Sequence, residues 1–248
     1  MVPECARDAE AAARLKPPDW NGAMKSGFRV TGVLFLSFSA FAQQTVTIPV
    51  PGAVKLIQGD LYGGGTRGVI LTHGGGRTKE SWRKQAQALT DSGFVVLAIN
   101  FRSDTTNEKG LPISVGSDED NAADILAAAA YLRAHGAKSI SGVGASMGGY
   151  ALAEADSLSK PGDFDRIVLL AANASDSAAL KGRKLFIVAR DDVGSTGLRI
   201  SQISDSYAKA PQPKELVILE GSAHAQSLFD TDQGPRLMSE ILRFLTAP

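Results

Sequence analysis

The sequence predicts an α/β protein built around a mostly parallel β-sheet that is covered by helices. From residue 45 onward, short apolar segments closed by glycine or polar residues alternate with longer segments of helical spacing. This alternation is typical of a parallel sheet, because parallel neighbours need a crossover connection that is usually a helix. The segment FVVLAIN at 94–100 shows no alternation of apolar and polar residues, as expected of a strand that is buried on both faces.

Eight segments have the composition of strands. The first two are joined by Pro51-Gly52, a common turn pair, and the glycine-rich sequence YGGGTRG at 62–68 leads into the third. The others are apolar runs that end at glycine or polar residues. In chain order the predicted strands are 45–50, 55–61, 68–72, 94–100, 139–144, 166–171, 184–188 and 216–219.

Five segments are predicted to be helices. The segment at 118–135 is rich in alanine, with acidic residues at its start and Arg133 and His135 at its end, which suits the helix dipole. The segment SWRKQAQALTD at 81–91 has helical spacing and ends at Ser92-Gly93. The remaining helices are predicted at 150–157, 198–208 and 235–245.

The segment at 24–42 predicts a secretory signal peptide. It begins with positively charged residues, continues with an apolar stretch at 30–41 and ends in the small-residue site Ala40-Phe41-Ala42. The apolar stretch is shorter than the roughly 20 residues that a spanning helix needs. We therefore expect cleavage near Ala42 and a secreted or periplasmic protein that is not stably inserted in a membrane.

Residues 1–23 lie ahead of the signal, which indicates either a start assigned too early or an extension before an uncleaved anchor. The expected domain is then a single one, at 43–248.

Cys5 is the only cysteine, so this domain has no disulfide, thiol nucleophile or thiolate metal site. The whole chain has 26 basic and 26 acidic residues, which does not favour nucleic acid or an anionic membrane surface as the main partner and leaves a small molecule or a peptide as the expected one.

The sequence Gly144-Ala145-Ser146-Met147-Gly148 contains the pattern G-x-S-x-G. It follows a predicted strand and opens a predicted helix, which is the setting of a nucleophile elbow. The small neighbours allow the sharp turn that holds a serine hydroxyl clear of the backbone. A plain glycine-rich turn between strand and helix is the alternative interpretation of this pattern.

A serine nucleophile needs a base, and the chain has three histidines. His135 lies at a predicted helix end, where capping explains it. His73 begins the sequence HGGG after a strand, and the N–H groups of such glycines can face a developing oxyanion. His224 lies in the loop between the last strand and the last helix, so we predict that His224 is the base.

Together these motifs resemble the α/β-hydrolase superfamily, in particular its small dienelactone-hydrolase-like and esterase-like members. The resemblance covers about residues 45–246 and follows the superfamily order of serine, acid and histidine. It implies an α/β-hydrolase fold with an eight-stranded, mostly parallel sheet, helices on both faces and the active site at the carboxyl ends of the strands.

The resemblance also implies roles for further residues. The acid should follow the penultimate strand, where Asp191 and Asp192 both lie; relatives have G-x-x-D there, and matching Ala189 to that glycine favours Asp192. The oxyanion hole would use the N–H groups of Met147 and Gly75, with the next glycine as the alternative to Gly75. The histidine of the HGGG sequence would support its loop.

Lidded relatives carry their lid between the sixth and seventh strands, where this chain has only residues 173–183. A cap domain is therefore not expected, and an open site favours short-acyl or exposed esters. The sequence thus predicts a serine hydrolase of the carboxylesterase type that works through an acyl-enzyme without a metal or organic cofactor. A peptidase or amidase of the same fold and a non-catalytic binding protein are the alternatives.

Trp82, Phe101 and Arg102 are candidates for a pocket wall or for structural roles.

Overall fold

An eight-stranded β-sheet forms the centre of the structure, a computed structural model that describes residues 43–248. Its spatial order is β1-β2-β4-β3-β5-β6-β7-β8, and β2 alone runs opposite to the other seven strands. The predicted mostly parallel eight-stranded sheet is confirmed. The strands are β1 (Gln44–Ile48), β2 (Ile57–Tyr62), β3 (Arg67–Thr72), β4 (Val95–Ile99), β5 (Ser139–Ala145), β6 (Arg166–Leu170), β7 (Arg183–Ala189) and β8 (Lys214–Leu219).

Five helices cover the two faces of the sheet. Helices α2, α3 and α4 pack on one apolar core, and α1 and α5 pack on the other. Among residues 43–248, no helix has both the length and the apolar composition that a membrane span requires. The helices are α1 (Arg83–Asp91), α2 (Asp118–Ala134), α3 (Met147–Leu158), α4 (Arg199–Lys209) and α5 (Gly234–Thr246).

The central strands are buried because helices lie on both of their faces. Every residue of β4 is buried, which is why its sequence shows no alternation. The register of the sheet also places the candidate site. Thr72 at the end of β3 pairs with Gly144 near the end of β5. The two loops that follow these strands, at residue 73 and at residue 146, therefore leave the sheet side by side.

Two short hairpins were missed by the sequence patterns. Strand Asp104–Thr106 pairs with Pro112–Ser114, and Val193–Gly194 pairs with Gly197–Leu198. Strands of two or three residues are too short to show a period of two, so their alternation cannot be recognised. The connection between β6 and β7 contains one 3-10 turn, Ser177–Ala179, and no cap domain.

The largest difference in helix bounds lies at the start of α3. The predicted helix begins at residue 150, whereas the observed helix begins at Met147. Gly148 and Gly149 favour a turn by intrinsic propensity, but here they form the first turn of the helix. The predictions for residues 1–42, including the signal peptide, cleavage and export, lie outside the described residues and stay predictions.

Candidate active site

Ser146 occupies a strained turn between β5 and α3. Its backbone has φ 48° and ψ −118°, a conformation that non-glycine residues rarely adopt. Its neighbours must be small for the turn to form. A Cβ atom at Gly148 would lie 2.6 Å from the carbonyl oxygens of Thr72 and His73. A Cβ atom at Gly144 would collide with the backbone of Gly148. The G-x-S-x-G pattern therefore reflects close backbone packing around the half-buried serine.

Three non-glycine residues have positive φ among the residues that the structure describes. They are Ser146, Ala171 directly after β6, and Ala225 directly after His224. All three lie at the same edge of the sheet, in loops that follow parallel strands. Backbone strain tends to collect where a site holds groups in a fixed arrangement. An active site is therefore expected at this edge of the sheet.

The structure brings Ser146, His224 and Asp192 together in a hydrogen-bonded chain. The Nε2 atom of His224 lies 2.8 Å from the Oγ atom of Ser146. The Nδ1 atom of His224 lies 2.7 Å from the Oδ2 atom of Asp192. Since the carboxylate can only accept, the Nδ1 atom carries the proton and the Nε2 atom is free to accept one from the serine. This arrangement can raise the nucleophilicity of the hydroxyl.

The two neighbouring aspartates have different surroundings. Asp192 is 1% exposed, and its second carboxylate oxygen lies 3.4 Å from the Nε atom of Arg199. The backbone N–H of Arg199 also donates to the carbonyl of Asp192. Asp191 is exposed, and its N–H donates to the carbonyl of Gly221. Only Asp192 therefore reaches the histidine. Arg199, which supports Asp192, was missed because nothing in the sequence links a residue seven positions later to it.

The loop that starts at His73 is held on both sides. The carbonyl of His73 accepts a hydrogen bond from the N–H of Gly148. The Nδ1 atom of His73 lies 3.0 Å from the carbonyl oxygen of Gly74, and its Nε2 atom lies 2.9 Å from Oδ2 of Asp104. The ring is 1% exposed and packs edge-on against Phe101. Both ring nitrogens of His73 are therefore engaged away from Ser146, and the side chain holds the loop in place. His135 is exposed at the end of α2, and its Nδ1 atom lies 2.8 Å from the carbonyl oxygen of Tyr131, as expected of a residue that caps a helix.

The contacts of this loop fix the direction of one candidate donor, the backbone N–H of Gly75. The N–H of Gly74 donates to Oε1 of Gln226, and the carbonyl of Gly74 accepts from the N–H of Arg77. In a planar trans peptide the carbonyl of Gly74 and the N–H of Gly75 point in opposite directions. Fixing that carbonyl therefore fixes the direction of the Gly75 N–H. The N–H of Met147 is also free of intrahelical acceptors, because Met147 is the first residue of α3.

Gln226 links three parts of the site and was not found by the sequence analysis. Its Oε1 atom accepts from Gly74, and its Nε2 atom donates to Oγ of Ser81, 2.8 Å away. The side chain is 4% exposed and lies two residues after His224. A polar residue so close to the predicted base was the one available signal. Gln226 ties the histidine loop to the glycine loop, so the two keep a fixed distance.

A buried ion pair anchors the segment that follows the glycine loop. The Nζ atom of Lys79 lies 2.9 Å from Oδ2 of Asp60 and 2.6 Å from Oε1 of Glu80, and its backbone N–H donates to Asn100. Burial alone would raise the pKa of the Glu80 carboxyl, but the hydrogen bonds from Lys79, from Thr78 and from the backbone, together with the charge of Lys79, outweigh it and lower the pKa to about 2. These contacts join the segment to β2 and to the end of β4.

The three candidate wall residues have structural roles. Trp82 and Phe101 are 1% and 3% exposed and belong to the two apolar cores. Arg102 pairs with Asp124 on α2. Burial raises the pKa of the Asp124 carboxyl, and its bonds to Arg102 oppose this shift. None of the three is therefore a free pocket side chain.

The site is open to solvent. The side chain of His224 is 37% exposed, and Ser146 is half-buried. Within residues 43–248, no group of three or more histidine, cysteine or acidic side chains is arranged to hold a metal ion. The chemistry that the arrangement supports is attack by a serine oxygen on an accessible electrophile.

The comparisons with known proteins identify the family and the fold. The model of the alpha/beta hydrolase family matches residues 69–240. A dienelactone hydrolase from Anabaena variabilis is similar in structure, with a TM-score of 0.62, 18% identity, and coverage of 83% of this chain and 95% of the other. A predicted CIB-like hydrolase from Thermoplasma acidophilum has a TM-score of 0.65 and 21% identity, with coverage of 83% of this chain and 98% of the other. An esterase from Pyrococcus furiosus has a TM-score of 0.66 and 17% identity, with coverage of 83% of this chain and 92% of the other.

No curated protein sequence matches this chain significantly. At these identities the structural likenesses establish the fold. The family model spans more than half of the chain and includes the Ser146 turn, Asp192 and His224. The chain therefore belongs to the alpha/beta hydrolase family.

Proposed function

We propose that this hydrolase-family protein is a serine carboxylic-ester hydrolase in which Ser146, His224 and Asp192 form a catalytic triad. The proposal is carried by one observation, the two hydrogen bonds that His224 makes, at 2.8 Å to Ser146 and at 2.7 Å to Asp192. The strained turn that exposes the serine and the burial of Asp192 support the same assignment.

The first half of the reaction is acylation. His224 takes the hydroxyl proton on Nε2 as Ser146 attacks the carbonyl carbon of the ester. Asp192 stabilises the imidazolium that forms and keeps the ring in the required orientation. The imidazolium then gives its proton to the leaving alcohol oxygen as the ester C–O bond breaks. This leaves the acyl group on Ser146.

The oxyanion of the tetrahedral intermediate is assigned to the backbone N–H groups of Met147 and Gly75. The loop of Gly75 and the start of α3 at Met147 are both fixed by hydrogen bonds, so the two N–H groups need no reorganisation when charge develops. The bond from Gly74 to Gln226 takes up the neighbouring N–H, which favours Gly75 over Gly74 as the donor. In the second half of the reaction, water attacks the acyl group while His224 again acts as the base.

The open site favours esters with a short acyl group, or ester groups exposed on larger molecules. The connection between β6 and β7 holds no cap that could build a tunnel for a long chain, and His224 is partly exposed. We expect kcat/KM to be higher for p-nitrophenyl acetate and butyrate than for p-nitrophenyl octanoate. Steady-state hydrolysis of the three esters checks this expectation. A higher kcat/KM for octanoate would contradict it.

Replacing Gln226 by methionine is expected to lower kcat by about 10- to 100-fold with little change in KM, because a misplaced oxyanion donor costs transition-state stabilisation. Methionine has a similar length but cannot accept from Gly74 or donate to Ser81. The measurement is kcat and KM for p-nitrophenyl butyrate. For the matching thiono ester, in which sulfur replaces the carbonyl oxygen, the fall of kcat in Gln226→Met should be smaller, since sulfur accepts hydrogen bonds weakly.

Ser81→Ala serves as the control for Gln226. It removes the partner of the Nε2 atom but leaves the bond between Oε1 and Gly74. We expect a smaller loss of kcat than in Gln226→Met. An equal loss on the oxygen ester and the thiono ester in Gln226→Met would show general damage to the site and would contradict the assigned role.

A further inference from the structure

Large apolar side chains that are exposed to solvent collect at one edge of the protein. Seven such residues are found among residues 43–248, with exposures from 47% to 101%. Single exposed apolar residues are normal on protein surfaces, but their concentration at one place indicates a contact surface. Six of them lie on three loops at one edge, and we call these six the apolar rim. The rim consists of Val54, Leu56, Leu111, Val115, Val193 and Leu198.

The topology places all three rim loops at the edge that carries Ser146. One loop, residues 49–56, joins β1 to β2; because β2 is antiparallel to β4, with Gly59 opposite Ile99, this loop lies at the carboxyl end of β4. The second loop is the hairpin that follows β4, and the third is the hairpin that follows β7. The seventh exposed residue, Leu158, ends α3 at the opposite edge.

The rim lies on both sides of the serine. In the sheet order, β5 carries Ser146 at its end, with β4 and β2 to one side and β7 to the other. From β2 to β7 there are five strand spacings, about 24 Å at the usual spacing between neighbouring strands. A small dissolved ester is much shorter than this distance, whereas the surface of an ester aggregate can contact all three loops at once.

Local contacts connect the rim loops to the site. A Cβ atom at Gly76 would lie 4.0 Å from the carbonyl oxygen of Pro112, so the first hairpin borders the glycine loop. Val193 directly follows Asp192 and is the cross-strand partner of Leu198. Side chains of cross-strand partners project from the same face of a hairpin. Whatever rests on the rim is therefore close to the reacting serine.

We propose that the apolar rim docks the enzyme on the surface of a water-insoluble, uncharged ester aggregate, so that short acyl esters at that surface reach Ser146. This proposal rests on the proposed esterase function and names the class of its substrate. The three rim loops, at 49–56, 104–115 and 193–198, carry two basic and two acidic residues, Lys55, Lys109, Asp104 and Glu108, which gives no preference for a charged surface. Apolar contact is then the main attraction, and it grows with the area that leaves water.

The test uses tributyrin, a short-acyl ester that is dissolved at low concentration and forms droplets above its solubility. Butyrate release by the wild-type protein should rise out of proportion once droplets are present. In Leu111→Asp and Val193→Asp, the ratio of the droplet rate to the dissolved rate should fall by about tenfold, the factor that corresponds to about 1.4 kcal/mol. Leu158→Asp is the matched control, because Leu158 is 59% exposed and Leu111 is 56% exposed. This control should keep the wild-type ratio.

Binding is read separately from activity with the Ser146→Ala protein. This variant should float with tributyrin droplets in a density gradient, and its combination with Leu111→Asp should not. If the aspartate variants do not fold, Val193→Thr keeps the branched shape and should lower the ratio in the same direction.

The proposal is overturned if droplets add nothing to the wild-type rate and Ser146→Ala does not float. It is also overturned if Leu158→Asp lowers the ratio as much as the rim variants, or if the rim variants abolish a dimer in sedimentation experiments and leave the ratio intact. A protein that floats but hydrolyses neither form of tributyrin contradicts the proposed function and leaves docking standing.

Discussion

Replacing Ser146 by alanine is expected to lower kcat/KM for p-nitrophenyl butyrate by at least about 10⁴-fold, because the variant loses covalent catalysis and retains only binding and the oxyanion donors. The fold should be unaffected, since alanine fits the turn and the serine Oγ atom contacts only the histidine ring among the hydrogen bonds of the described residues. The measurement is steady-state hydrolysis by the purified 43–248 protein and its variant at neutral pH.

Ser222→Ala is the control for this loss. Ser222 is exposed and lies two residues before His224, so the substitution changes a serine in the same part of the protein. We expect its kcat/KM to stay within about twofold of wild type, as for surface substitutions that remove no packing or hydrogen bond. Similar hydrolysis by wild type and by Ser146→Ala would assign the activity to another group and contradict the proposed mechanism.

Asp192→Asn is expected to lower kcat by about 10³- to 10⁴-fold. The amide can donate to Nδ1 of His224, which favours the tautomer with its proton on Nε2. That proton faces the serine oxygen 2.8 Å away, so the ring can no longer accept the hydroxyl proton. The measurement is kcat for p-nitrophenyl acetate, with the midpoint of thermal unfolding recorded for the same samples.

Asp191→Asn separates the two neighbouring aspartates. Asp191 is exposed and its backbone, rather than its carboxylate, makes the contact with Gly221. We expect its kcat to stay within about twofold of wild type, as is usual for a surface substitution. The assignment of the acid is wrong if Asp191→Asn loses activity and Asp192→Asn does not.

Much of the fold was predictable because its strands and helices have strong local patterns. The all-apolar segment of β4 and the alanine-rich α2 with its charged ends were recognised within one or two residues. The start of α3 was missed because the same glycines have two roles. Gly148 must be small for its contact with the His73 backbone, and this tertiary requirement outweighs its low helix propensity. The two hairpins were missed because each strand has only two or three residues.

The residues that the motifs named could be predicted because spacing and neighbours marked them. The G-x-S-x-G pattern and the position of His224 after the last predicted strand led to two residues that lie 2.8 Å apart, although 78 positions separate them in the sequence. Gln226 and Arg199 could not be predicted in the same way. Their importance depends on which backbone groups their side chains reach, and that follows from the folded loops rather than from any local pattern.

The proposed function requires that the hydroxyl of Ser146 be an activated nucleophile. Labelling of the 43–248 protein with a fluorophosphonate, followed by peptide mapping in a mass spectrometer, detects such a hydroxyl. We expect one adduct, on the peptide that contains Ser146, and much slower labelling in His224→Ala because the serine then lacks its base. The absence of any adduct on the folded wild-type protein, or an adduct on a different residue, would contradict the account.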